Sequence, residues 1–130
     1  AGVMGKKKAK PSEQIACFLN FVDECERIYQ TAYEQVGMED KRVQDLLHEV
    51  EFARGAAERN RAAARLQESR RWRRENKDTA QYYKCVVEFF HEKGNRNTLN
   101  QMRQLLGRQR KEEEYLGSSR TYYPRVEKAS

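Results

Sequence analysis

Residues 12–37 read SEQIACFLNFVDECERIYQTAYEQVG, and the placement of their apolar side chains decides the fold class. Ile15, Phe18, Val22, Cys25, Tyr29, Ala32 or Tyr33, and Val36 recur at alternating steps of three and four. That is the period of an amphipathic helix, not the alternation of a strand. Leu19 and Phe21 widen the stripe. Ser12, after Pro11, is a good N-cap and Gly37 a C-terminal stop, so a first helix is expected between them.

Outward from this stretch, Asp40 reads as the cap of a second helix running to about Glu75. Its stripe is Val43, Leu46, Val50, Ala53, Ala57 and Ala64, large residues first and alanines after. A helix of about 35 residues spans roughly 50 Å, more than a core of this size covers. Residues 58–77 are therefore expected to project, or to lie under a thin contact. Asn76-Lys77-Asp78-Thr79 reads as the next boundary, with a third helix to about Lys93 burying Ala80, Tyr83, Val86, Val87 and Phe90. Asn97 caps a fourth, with Leu99, Met102, Leu105 and Leu106 as its stripe and Gly117 as its stop. The last two helices, closely linked, are expected to fold back as an antiparallel hairpin, like the first two. The expectation is an all-α chain of two helical hairpins, about four helices, the second unusually long. A basic disordered arm (1–11), a helical domain (12–117) and a mobile tail (118–130) with Tyr122, Tyr123 and Pro124 complete it.

Composition agrees. Of 130 residues, 35% are charged and 38% hydrophobic, a balance that suits long, partly exposed helices. The net charge of +6 is segregated: residues 13–53 carry −7, residues 54–77 carry +6. No apolar run approaches the ~18 residues of a membrane span, and no signal peptide is read, with Met4 expected as the natural start. Cys17, Cys25 and Cys85 form no C-x-x-C pair and read as small buried hydrophobes in a reducing cytoplasm.

The feature that most invites function is the run Arg54, Arg59, Arg61, Arg65, Arg70, Arg71, Arg73, Arg74 and Lys77, with the only tryptophan, Trp72, inside it. On a helical wheel Arg54, Arg61, Arg65 and Trp72 share one stripe, and Arg59, Arg70, Arg73 and Lys77 another ~140° away. Like charges one turn apart repel, so something must compensate. A phosphate backbone would, through the guanidinium fork; so would the acidic residues Asp23, Glu24, Glu26 and Glu34 of the first helix, or an acidic protein surface. Trp72 reads either as core between helices two and three or as a stacking platform. Lys6, Lys7, Lys8 and Lys10 form a short basic arm that can follow phosphates or simply solubilise the end.

Catalytic chemistry is not signalled. His48 and His91 lie on different helices; His48 with Glu51 reads as a surface pair. Glu88-Phe89-Phe90-His91 fits one Glu-x-x-His metal motif, but a di-metal bundle needs a second and two more glutamates facing inward. No phosphate loop, nucleophile elbow or zinc motif occurs, so no cofactor is expected and the chain is read as non-enzymatic. Asn97, Gln101, Gln104 and Arg108 share one face of the fourth helix, as a base-reading set would or as any solvated face does.

The stretches Asn100-Gln101-Met102-Arg103-Gln104-Leu105-Leu106-Gly107 and Tyr123-Pro124-Arg125-Val126 resemble uncharacterised small proteins of bacteriophages and mobile elements. The resemblance carries over no site; it implies DNA handling, regulation or inhibition of host defence. The leading expectation is binding of nucleic acid or a nucleoprotein through the arginine helix and lysine arm. The alternative is a protein-interaction module, an adaptor or an anti-CRISPR-type inhibitor, using the same face on an acidic partner. A homodimer paired across the alanines is compatible with either.

Overall fold

The computed structural model describes residues 9–119, and helix covers 92% of them, with no strand among them. The expected residues Lys6, Lys7 and Lys8 of the arm, and the tail from residue 120 onward, lie outside the described residues. Among the described residues there are three helices rather than four: α1 (Pro11–Glu51), α2 (Ala56–His91) and α3 (Lys93–Gly117).

Both expected breaks at 37–40 and 76–79 are helix interior, and the reversal falls at 52–55, inside the expected second helix. The reason is phase. Val22, Cys25, Tyr29, Ala32, Val36, Glu39, Val43, Leu46 and Val50 are all buried or half-buried, one unbroken 3,4 seam along α1. A lone glycine off that seam costs about 1 kcal/mol, less than the roughly 1.5–3 kcal/mol from burying a residue such as Leu46. In α2 the covered positions are Ala62, Leu66, Ser69, Arg73, Asn76, Ala80, Tyr83, Val87 and Phe90, again a 3,4 frame, with Leu66, Arg73, Asn76, Tyr83 and Phe90 half-covered. Extending the α1 frame forward lands on Ala57 and Ala64, two residues out of step with Ala62 and Leu66. That offset is about 200° on a helix, so no single helix keeps both seams on one face, and the chain turns between them.

Residues 76–79 stay helical because the covered frame runs on through Arg73, Asn76 and Ala80, and their polar side chains bond back by one turn without breaking it. Asn76 Nδ2 donates to the Trp72 carbonyl at 2.9 Å and Thr79 Oγ1 to the Glu75 carbonyl at 3.0 Å. Such back-bonding is compatible with a continuing helix. Residues 58–77 consequently do not project: Ala62 and Ser69 are each 2% exposed against α1. The seam alanine is Ala62, whereas Ala57 and Ala64 are exposed.

α3 does not fold back on α2. Its partners descend α1: Leu99 clusters with Leu19 and Val22, Arg103 reaches Asp23 at 3.6 Å, and Glu113 meets Ser12. Both α2 and α3 thus run antiparallel to α1, separated by the extended backbone of Glu92. Asn95 Nδ2 holds the break by donating to the Phe89 carbonyl and to Glu92 Oε2. The apolar core lies at this three-helix end, where Ile15, Phe90, Met102 and Leu106 pack on Leu19, Val22 and Leu99.

Ser12 is not the N-cap. Lys10 occupies that position with Pro11 at the first helical residue, where a missing N–H costs nothing. Ser12 is buried and gives both its N–H (3.0 Å) and its hydroxyl to the Glu113 carboxylate. Of the cysteines only Cys25 is buried; Cys17 and Cys85 are exposed, their positions falling off the seams. Burial, then the neighbouring Glu24 carboxylate, raises the Cys25 thiol above its ordinary pKa.

Candidate polyanion interface

The seam has two flanks, and the basic residues of α2 divide between them. On one flank Arg65 Nη2 meets Glu49 Oε2 at 2.6 Å, and Trp72 follows Arg65 two turns on along the same side of α2. The other brings Tyr33 and Asp40 beside Arg70, Arg74, Lys77 and Lys84. Here Arg73 Nε donates to Asp40 Oδ1, and farther along His91 Nε2 lies 3.0 Å from Glu26 Oε1.

Between the flanks sits a polar layer. Glu39 is 2% exposed and accepts from Ser69 Oγ at 2.6 Å, Gln35 Nε2 at 3.2 Å and Arg42 Nη1 at 3.0 Å. A buried carboxylate is tolerated when donors surround it, and among the described residues no buried side-chain N or O atom lacks a partner.

Only Arg65 and Arg73 of the expected basic run form ion pairs with α1. Arg59, Arg61, Arg70, Arg71, Arg74 and Lys77 are exposed and make no ion pair with any of the described residues. Arg54 sits in the turn before α2, its backbone N–H 3.4 Å from Glu58 Oε2. The acidic residues expected to neutralise the run are engaged elsewhere. Asp23 meets Arg103, Glu24 pairs with Arg27, and Glu26 meets His91; Glu34 lies beside Arg27 on the outer face of α1. α1 is longer than expected, so Asp40 and Glu49, farther along, are the carboxylates that pair with arginines of the run.

Arg59, Arg70, Arg74, Lys77 and Lys84 fall within about 80° of one another around α2, with Arg71 adjoining. Sequence reasoning grouped Arg59, Arg70 and Lys77 with Arg73 instead of Arg74, and missed Lys84 and Tyr33. Both follow from the seven-residue step, Arg70-Lys77-Lys84 on α2 and Glu26-Tyr33-Asp40 on α1, which the false boundaries had cut.

Trp72 does not join a core. It is 47% exposed on the Arg65 flank, its Nε1 3.4 Å from Glu68 Oε1. Lys10 is exposed at the opposite end of the molecule from the hairpin turn. Asn97, Gln101, Gln104 and Arg108 are exposed on α3. His48 lies 3.9 Å from Glu51 near the turn and His91 beside Glu26 toward the three-helix end, so the two histidines do not converge.

Comparison of the chain with protein-family models, with curated proteins and with solved structures finds no match. The reading of the face rests on its own residues.

Proposed function

We propose that this chain binds nucleic acid or a nucleoprotein, without catalysis, through the exposed basic face of α2. One observation carries the reading: α1 neutralises two of the nine basic residues of 54–77 and leaves the rest facing solvent. Crowded guanidinium groups on a helix repel, and a phosphate backbone is the polyanion whose spacing and bidentate geometry relieve that repulsion. A phage or mobile-element setting is part of the proposal and rests on the resemblance alone.

The test is a titration with duplex DNA, single strands and structured RNA at two salt concentrations. Arg70, Arg71, Arg74 and Lys77 share one sector, so about four phosphate contacts are expected, with a log–log salt slope near −3.6 on duplex DNA. Reversing these four charges should abolish binding. Failure to bind at about 50 mM salt sinks the proposal.

A second reading, a protein partner, is favoured by a separate observation; its acidity would follow only from the basic face. Phe21, Phe18, Phe90 and Phe89 form a continuous run of ring contacts (6.3, 6.0 and 5.0 Å), and Phe21 and Phe89 are about half exposed. Exposed aromatic clusters mark protein interfaces. Pull-down with the charge-reversed protein separates the two, since a nucleic-acid ligand is removed by nuclease and a protein partner is not.

A further inference from the structure

Two adjoining grooves line the Tyr33 flank, of about 350 and 410 Å³, and share Asp40 and Lys77. Together they form one trough between α1 and α2, from Lys84 past Lys77 to Arg70 and Arg74, about 21 Å along the helix. Its cationic side comes wholly from α2. Its aromatic side comes from α1, where Tyr29 and Tyr33 stack with centroids 6.0 Å apart and planes inclined by 29°. Tyr33 is 65% exposed, a large ring held open to solvent beside the lysines. Gly37 follows one turn later in the same wall, with nothing within 4 Å of where a Cβ would stand. The one carboxylate lining the trough, Asp40, is paired with Arg73, so Lys77, Lys84, Arg70 and Arg74 remain as its charges unpaired among the described residues.

Resting on the polyanion reading, we infer that this trough takes single-stranded nucleic acid in preference to duplex, a base stacking on Tyr33 while Lys77, Lys84, Arg70 and Arg74 follow the phosphates. Both ingredients of sequence-tolerant strand binding are present side by side: a basic groove that tracks the backbone and an aromatic ring for the base face. A duplex keeps its base faces stacked internally and offers the trough only phosphates, so the tyrosine adds nothing to duplex binding.

Fluorescence anisotropy with a labelled thymidine oligonucleotide of about 15 nucleotides, and with a matched duplex, tests this on the full chain. Tyr33→Ala should weaken the single strand at least about fivefold and leave the duplex unchanged, while Tyr33→Phe retains both. Unchanged melting temperature confirms the fold, since the ring is mostly exposed. Lys77→Glu with Lys84→Glu should weaken both ligands. Equal loss on both ligands for Tyr33→Ala, or no loss on either, overturns the stacking inference and leaves the polyanion reading standing. Absence of binding to every nucleic acid overturns both.

Discussion

Glu113 shows how a single side chain ties the sequence ends of the helical unit together. Its carboxylate accepts from the Ser12 hydroxyl, the Ser12 N–H and Gln109 Nε2. These bonds, the Ser12 hydroxyl first, hold its pKa below the ordinary carboxylate value. A depressed folded-state pKa means stability present above the unfolded value and lost as pH falls through the folded one. Wild-type protein should therefore melt higher than Glu113→Gln at pH 7, and the difference should shrink on acidification below about pH 4.3. Thermal melts of the two proteins across pH 7 to 3 check it; a constant difference would contradict the assignment. At this scale the sequence was least legible. Ser12 beside Pro11 looks like a cap from local chemistry alone, and nothing local reveals a glutamate 101 positions away. Trp72 fails similarly: hydrophobicity argues for core, but its step from Ser69 and Arg73 puts it on a flank.

At the scale of the element, the apolar period was readable and its interruptions were not. The stripe from Ile15 to Val36 and that from Val43 to Val50 are one frame, joined through Glu39, a polar residue that a search for hydrophobic repeats passes over. Ser69, Arg73 and Asn76 hide the α2 frame in the same way. Glycine was given too much weight as a stop, because its cost is modest when the seam on both sides buries well. Gly37 supplies a direct measure. It is exposed within α1 with open space around its Cβ direction, so Gly37→Ala should stabilise the protein by about 0.5–1 kcal/mol. Urea denaturation with an unchanged m-value reads this out; destabilisation would mean that α1 needs flexibility there.

For the whole molecule, burial is distributed along the hairpin in a graded way. The three-helix end holds Leu19, Val22, Leu99 and Phe90, whereas toward the turn α2 offers only Ala62, Leu66, Ser69 and Asn76 against Val43, Leu46 and Val50 of α1. Opening free energy follows buried apolar contact. Hydrogen exchange should be slowest near residues 15–30 and 83–102 and fastest from 44 to 66, while an even profile would contradict this gradient. Of the two expectations for 58–77, projection gives way and thin cover remains as this gradient, since α1 runs far enough to cover α2 along its length. The basic face was legible as a stripe because charge needs no tertiary partner to be noticed. Its tyrosine wall was not, because it belongs to the other helix and depends on how far the hairpin is shifted.

That dependence gives the Glu39–Ser69 contact a role beyond filling the seam. A two-helix ladder of repeating steps has neighbouring rungs of similar fit, and α2 displaced by one repeat along α1 would still set Ala62 or Asn76 where Ser69 stands. Glu39 would then face a methyl group or an amide in place of a hydroxyl, and Tyr33 would look across at Arg70 or Lys84 instead of Lys77. Against the Ala62 alignment the carboxylate would act as a detent on a sliding rule, since a methyl group leaves it short of a donor, and with the alignment goes which ring is read against which cation.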